Sequence, residues 1–166
     1  MKITTLEDLL VDELKDIYSA ENQLIKALPK MAKAAQAEDL RNAFEHHLEQ
    51  TRTHAKRIEQ LCAELNIKPG GKKCMGMEGL IEEGHEIMAD AKNEPLEAGL
   101  IGAAQRVEHY EIAAYGTARA HARQLGYMKA AEILGETLEE EKEANRILTE
   151  LAENEINVQA AMASSD

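Results

Sequence analysis

Aromatic residues are scarce in this sequence, which contains no tryptophan, one phenylalanine and four tyrosines among its 166 residues. Proline and glycine are also few, with 3 and 10 residues respectively. Sheets favour aromatic and β-branched residues, whereas alanine and glutamate, which dominate here, favour helices. The composition therefore predicts an all-α protein, and the length is sufficient for one domain with a single shared core.

Basic residues are outnumbered, because 19 lysines and arginines stand against 31 aspartates and glutamates and leave a formal net charge of −12. Proteins that track nucleic-acid phosphates depend on clustered basic residues, so we expect no nucleic-acid partner. The acidic balance does not exclude cation binding. Of the 31 acids, 25 are glutamates, and most of these are expected to lie on solvated helix surfaces.

Long apolar runs and paired cysteines are missing as well. No stretch approaches the roughly 20 apolar residues of a membrane-spanning helix, so we expect no membrane partner. The early acids of the first 16 residues are unlike a signal or transit peptide, which favours a cytoplasmic protein. Cys62 and Cys74 lack CxxC spacing, which argues against a disulfide framework or a zinc ribbon.

Apolar residues recur at helical spacing in four long segments, at about 5–31, 39–65, 95–125 and 127–156. The first two segments are joined briefly, as are the last two, which predicts two antiparallel pairs. The connection 66–95 is long and contains a short helical segment near Leu80–Ala91. This order predicts a ferritin-like four-helix bundle over residues 1–156, with a helix-containing crossover between helices two and three. Residues 157–166 lose the periodicity, and we expect them to be flexible.

The two halves of the chain resemble each other at an offset of 90 positions. At this offset Leu48–Leu61 aligns with Leu138–Leu151, and Glu21 aligns with Glu111. Glutamate-rich helices produce some such matches by chance, but the same offset relates both helix pairs. A bundle with approximate two-fold symmetry is therefore the better interpretation.

Four glutamates fall where the periodicity calls for apolar residues, namely Glu21, Glu108, Glu111 and Glu141. Three of them lie 15 residues from the turn that bounds their helix, and Glu108 lies three residues further away. At ~1.5 Å per residue all four reach one layer in the middle of the bundle. Buried carboxylates must be protonated, paired with basic groups or bound to cations. Salt bridges or a partly wetted seam are the alternative to a site for two metal ions.

Helix two offers His47 and His54 on its inner flank, with Gln50 between them. Carboxylate oxygens together with imidazole suit iron or manganese, and the facing helices of a bundle are where di-iron carboxylate sites are built. A hydrogen-bonded core position or a dimer interface explains either histidine equally well. The candidate metal ligands are therefore Glu21, His47, His54, Glu108, Glu111 and Glu141.

Tyr18 and Tyr115 are expected beside this acid layer. A phenol there could hydrogen-bond a ligand carboxylate or take part in electron transfer, and ordinary packing is the alternative. Glu13 also falls near the apolar stripe of the first helix, but an acid in the first turns of a helix needs no special role.

Several strings over roughly residues 3–155 resemble the bacterial YciF-type ferritin-like stress proteins, in order: YSAENQLIKALPKMAKAA, HHLEQT, MEGLIEEG, AAQRVEHYEIAAYGT and LGETLEEEKEA. The resemblance implies a bundle similar to the helical part of rubrerythrin, a di-metal centre, a dimer and a link to bacterial stress. By position, Glu21 resembles the first-helix ligand and Glu141 the fourth-helix ligand. Glu108 and Glu111 are similar to the E-x-x-E of rubrerythrin's third helix.

The chain departs from the ferritin-like pattern in one respect. A standard centre has Glu-x-x-His on helices two and four, whereas this chain has Glu49 with Arg52 and Glu141 with Ala144. The departure argues against a symmetric centre with ferritin-type oxidase chemistry.

The leading hypothesis is a cytoplasmic homodimer with two non-haem ions in the bundle core, iron being expected and manganese the alternative. If the centre is active, it would react with peroxide or oxygen in a stress response. The rival hypothesis is a non-catalytic helical stress protein with a degenerate metal site, which acts by binding a partner. Iron storage is a third, and it requires a closed shell of many subunits.

Overall fold

The computed structural model describes residues 2–163, which form six α-helices and one π-helical turn, with no strand among them. The helices are α1 (Leu6–Ala34), α2 (Glu38–Glu64), α3 (Met75–Asp90), α4 (Asn93–Gln124), α5 (Met128–Leu151) and α6 (Asn157–Met162). The π-helical turn, Ala152–Ile156, joins α5 to α6. The predicted all-α, ferritin-like four-helix bundle is confirmed, with α1, α2, α4 and α5 as its long helices.

Caps define where the first two long helices begin. Thr5 and Asp8 form a capping box at α1, in which each backbone N–H donates to the other residue's side chain, at 2.9 and 3.0 Å. The helix α2 has no side-chain cap of its own. The buried Glu97 of α4 accepts the backbone N–H groups of Gln36 and Ala37 instead, at 2.8 and 3.0 Å, which fixes the α1–α2 turn against α4.

The helices pair as the short connections require. Residues 35–37 turn α1 back along α2, and residues 125–127 turn α4 back along α5. The two pairs then pack together, α1 on α4 and α2 on α5. Gly126 has φ +80°, a conformation that a residue with a Cβ rarely adopts, so the second of these turns depends on glycine.

The apolar core is divided into two clusters at opposite ends of the bundle. One contains Leu10, Leu61 and Leu134, and the other contains Phe44, Leu100 and Leu148 among their members. Along α2, α4 and α5 the candidate ligands lie between the residues of the two clusters, and Glu21 of α1 lies beside Ala20, the first residue of the second cluster on that helix. The mid-bundle layer is thus enclosed by apolar side chains above and below it.

The crossover helix α3 begins five residues before the segment predicted from the sequence. The side chain of Cys74 caps it by accepting the backbone N–H of Met77 at 3.4 Å. The glycines around this start obscure the helical pattern. One of them, Gly76, lies against the Tyr110 ring, where an added Cβ would lie 2.6 Å from a ring carbon.

The end of the chain continues α5 for about three turns. The helix α6 extends to Met162, within the segment that was expected to be flexible, and residues 164–166 lie outside the described range. The flexibility of residues 157–166 stays a prediction.

Candidate metal centre

The bundle brings all six predicted ligand side chains together in its middle. None of them is more than 5% exposed. α1 contributes Glu21, α2 contributes His47 and His54, α4 contributes Glu108 and Glu111, and α5 contributes Glu141. The acids that interrupted the helical periodicity are therefore buried, as their positions on the apolar faces required.

Four of these side chains form one group, which contains His47, Glu108, Glu111 and Glu141. Each offers a ligand atom, and these atoms all lie within 4.8 Å of one another. The Nε2 atom of His47 lies 3.2 Å from Glu108 Oε1 and 3.6 Å from Glu141 Oε2. Three carboxylates and one imidazole around a common point can hold a metal ion.

A second group consists of Glu21, His54 and Glu141. Here Nδ1 of His54 lies 3.0 Å from Glu141 Oε1 and 3.5 Å from Glu21 Oε1. Glu141 belongs to both groups, so the two potential ion positions lie on either side of one carboxylate.

The ligand atoms approach one another without forming hydrogen bonds. Among the described residues, eight buried atoms of these six side chains have no hydrogen-bond partner, including His47 Nε2, His54 Nδ1 and both oxygens of Glu111 and Glu141. Such atoms are costly to bury unsatisfied. Oxygen and imidazole atoms that converge in this way fit one or two hard cations, so the residues present suit the metal centre that the fold implies.

The charges of the group balance in part through the histidines. Burial alone would lower the pKa of His47, but Glu108 and Glu141 raise it to about 10. Burial likewise opposes the charged form of His54, and its attraction to Glu141 and Glu21 raises its pKa to about 10. In the metal-free protein both imidazoles are thus cations at neutral pH.

The pKa values of the buried carboxylates are shifted in opposite directions. Burial raises the pKa of Glu111 well above its ordinary value, and repulsion from Glu21 and Glu141 adds to this. Burial also acts on Glu141, but the nearby His47 and His54 outweigh it and lower its pKa. Burial and repulsion thus oppose the ionised form of Glu111, and a cation bound beside it would favour that form.

A second layer of side chains orients the ligands from outside. The Tyr115 hydroxyl donates a hydrogen bond to Glu21, and Tyr115 is 1% exposed. The Thr51 hydroxyl donates to the backbone carbonyl of His47 at 2.8 Å. Thr51 stands where the internal repeat matches Glu141, so a backbone contact replaces the carboxylate in this half.

Glu140 and Arg57 belong to this layer, although the sequence pattern does not single them out. Oε2 of Glu140 lies 2.7 Å from Nε2 of His54, and Arg57 donates to both oxygens of Glu140. In the sequence, Glu140 directly precedes the buried Glu141 and follows the pattern of a surface glutamate. The pairing of α2 with α5 brings Arg57 and Glu140 to facing positions, so a prediction of this pair requires knowing which helices are neighbours.

Other sequence expectations fall outside the centre. Tyr18 was expected beside the acid layer but instead donates to Glu59 on α2 at 2.6 Å, near the surface. Glu13 is only partly buried, and burial together with the neighbouring Asp16 raises its pKa.

The helices in the described part of the chain include none that combines the length and the apolar character needed to cross a membrane. The structure thus defines a ferritin-like four-helix bundle with a buried cluster of histidines and glutamates that could hold metal. Residues 5–161 match the model of a family described as a domain of unknown function, DUF892. The chain belongs to this family.

Two relatives share most of their sequence length with this chain. It is 51% identical to Protein YciF of Escherichia coli strain K12 over 162 residues, which cover 96% of this chain and 98% of the relative. The crystal structure of the E. coli stress protein YciF superposes with a TM-score of 0.90 at 52% identity, covering 93% and 99% of the two chains. YcfI from Rhodopseudomonas palustris gives a TM-score of 0.86 at 44% identity over 89% and 95%. The resemblance to YciF-type proteins is thereby confirmed.

A protein from Xanthomonas campestris pv. campestris has the same fold at greater distance. Its TM-score is 0.75 at 22% identity, covering 95% of this chain and 97% of that one. At this identity the similarity shows the fold alone.

Proposed function

We propose that the protein binds two metal ions in the mid-bundle layer, as a carboxylate centre in a bacterial stress response. The observation that carries the proposal is the position of Glu141 in both ligand groups, with both of its oxygens free of hydrogen bonds. Glu108, Glu111 and His47 would complete one position, and Glu21 and His54 the other. Iron is the ion we expect, and manganese is the alternative, because both suit oxygen and imidazole ligands.

A bound iron pair would supply redox chemistry towards oxygen or peroxide. The chain's own contribution is to hold four carboxylates and two imidazoles at fixed positions in a layer closed by two apolar clusters. Tyr115 fixes Glu21, and Glu140 with Arg57 fixes His54. These supports make the ligands rigid before an ion arrives.

The stress context comes from the relatives. The E. coli relative is described as a stress protein, and the identity of about half of all residues supports a similar setting here. We also propose a cytoplasmic homodimer, in line with the family resemblance. Sedimentation velocity distinguishes a dimer from a monomer and from the many-subunit shell that iron storage needs.

Metal content per chain tests the proposal, measured after aerobic purification and again after anaerobic addition of iron(II). We expect two equivalents in the unaltered protein, about one in Glu111→Ala and in Glu21→Ala, and none in Glu141→Ala, because Glu141 serves both positions. Glu139→Ala, an exposed neighbour on α5, should retain two. A protein that stays metal-free after addition of iron(II) and of manganese(II) would contradict the proposed metal centre.

The second candidate is a non-catalytic protein with a degenerate metal site that binds a partner. It is favoured by the incomplete Glu-x-x-His pattern, in which Ala144 follows Glu141 and Arg52 follows Glu49. The R. palustris relative is itself named as a candidate structural protein. Metal binding without any consumption of peroxide or oxygen by the iron(II)-loaded protein would favour this alternative.

A further inference from the structure

An apolar cavity of about 40 Å³ borders the candidate metal centre on one side. Its inner end is formed by His47 and Glu108, both members of the first ligand group. Ten of the fourteen lining residues are apolar, and the buried ones include Leu28, Phe44 and Leu148. The cavity therefore joins the ligand layer to one of the two apolar clusters.

The cavity exists where a ferritin-like histidine is absent. Ala144 lies three residues after Glu141, at the place where a Glu-x-x-His motif puts its imidazole, and its methyl group lines the cavity. The internal repeat at offset 90 pairs Ala144 with His54, whose imidazole fills the equivalent position in the other half. The substitution of a ring by a methyl group thus leaves space beside one ligand group.

The cavity also reaches the surface. His46, which is exposed, and Gln50 and Ile147, which are partly exposed, line its outer part between α2 and α5. The opening lies close to the ligand layer, because Gln50 Oε1 lies 3.3 Å from Nδ1 of His47.

Size and polarity restrict what this cavity holds. Roughly 10–15 Å³ of such space is enough for a water molecule, but a water also needs two to four polar partners. Only four of the fourteen lining residues have polar side chains, and apolar cavities stay dry and bind apolar atoms such as xenon. We propose that the cavity is a binding site for a small uncharged apolar molecule of the size of dioxygen, held against the His47–Glu108 side of the centre.

This assignment rests on the proposed metal centre, with which a molecule in the cavity would react. It also distinguishes between oxygen and peroxide, the two oxidants proposed for that centre. Hydrogen peroxide carries two donors and two pairs of acceptor sites, which the apolar walls cannot satisfy. Dioxygen has no hydrogen to donate and loses little on leaving water. The cavity therefore favours dioxygen over peroxide.

Xenon is the probe for the test, because its binding is independent of any metal. Metal-free crystals under xenon pressure should show a xenon atom between Phe44 and Leu148. Ala144→Leu should abolish this site by filling the cavity, whereas Ala113→Leu, at an exposed position of α4, should retain it. Ala43→Leu narrows the cavity from α2 and should give the same loss if the α5 variant fails to fold.

An ordered water in place of xenon in the unaltered protein would overturn the assignment, and so would full xenon occupancy in both filling variants. Metal content measured on the same preparations separates this result from the proposed function. Bound xenon in a protein that binds no metal supports the apolar binding site and contradicts the metal centre. Two metal equivalents in a protein that binds no xenon support the metal centre and contradict the apolar binding site.

Discussion

The Nε2 atom of His54 lies 2.7 Å from the carboxylate of Glu140. The guanidinium group of Arg57 donates to both oxygens of the same carboxylate, at 2.6 and 3.1 Å. This contact occupies one ring nitrogen of His54. The other, Nδ1, therefore faces Glu21 and Glu141. Carboxylates that hold the far nitrogen of a metal-binding histidine fix its tautomer and ring orientation, which makes Glu140 a positioning residue for His54.

Glu140→Ala should weaken metal binding by about 10- to 100-fold without unfolding the bundle, because His54 loses the partner that orients it. Competition with a chelator of known affinity measures the change. Glu140→Gln should recover much of the affinity, since its amide oxygen can still accept from Nε2, and Glu139→Ala should bind as the unaltered protein does. Equal affinities in Glu140→Ala and Glu139→Ala would show that Glu140 does not act through His54.

Tyr115→Phe should destabilise the metal-free protein by about 1–3 kcal/mol, because it leaves a buried carboxylate oxygen of Glu21 without its donor. Urea unfolding in the presence of a chelator measures the free energy. Tyr18→Phe is the matched control, because its hydroxyl bonds Glu59 near the surface, and it should cost about 0.5 kcal/mol or less. If both variants lose the same free energy of unfolding, the hydrogen bond from Tyr115 to the buried Glu21 contributes no more than a surface hydrogen bond.

The metal-free protein should lose stability as pH rises from about 6.5 towards 10. His47 and His54 have pKa values raised to about 10 in the folded protein, against an ordinary value of 6.5. Below pH 6.5 both imidazoles are protonated whether the chain is folded or not, and their stabilising contribution is complete. Above it the unfolded chain releases these protons first, so the contribution declines until the folded pKa is passed.

Thermal unfolding in chelator between pH 6 and 9 measures this decline. His47→Gln should show a shallower decline, whereas His46→Gln, at the exposed adjacent position, should keep it. Metal-loaded protein should show the opposite trend, because ions compete with protons for the same ligands and bind better at higher pH. A metal-free protein whose stability is constant or increases over this range would rule out paired, protonated histidines.

The acids of the centre could be predicted because each one conflicts with its own helix. Glu21 and Glu141 stand on faces that are otherwise apolar, and such conflicts between local pattern and fold mark functional positions. The choice between His47 and His54 could not be made, since both lie on the inner flank of α2. Packing resolves it by directing each imidazole to a different pair of carboxylates.

The features that the sequence pattern does not predict depend on contacts between helices. Glu140 follows the pattern of a surface residue, and only the approach of α2 brings His54 and Arg57 to it. The cavity was visible in the sequence only as a histidine missing at position 144. The start of α3 was hidden because its cap is a cysteine and its first turns contain glycines.

A last prediction concerns how α3 is held on the bundle. The Tyr110 hydroxyl donates to Asp16 on α1 at 2.5 Å and lies 2.9 Å from Sγ of Cys74, the N-cap of α3. Burial, together with Asp16 and Cys74, raises the pKa of Tyr110, which keeps the phenol protonated and able to donate. One hydroxyl thus joins α4, α1 and the start of α3.

Tyr110→Phe should therefore loosen the first turns of α3 while the four long helices stay intact. A net loss of about 1 kcal/mol corresponds to roughly fivefold faster amide exchange, which we expect for residues 75–80. Tyr127→Phe, which removes an exposed hydrogen bond to Glu7, should leave exchange in α3 unchanged. If Tyr110→Phe has no effect, then the apolar contacts of Met77 and Leu80 hold the crossover, because these are the side chains that α3 packs against the core.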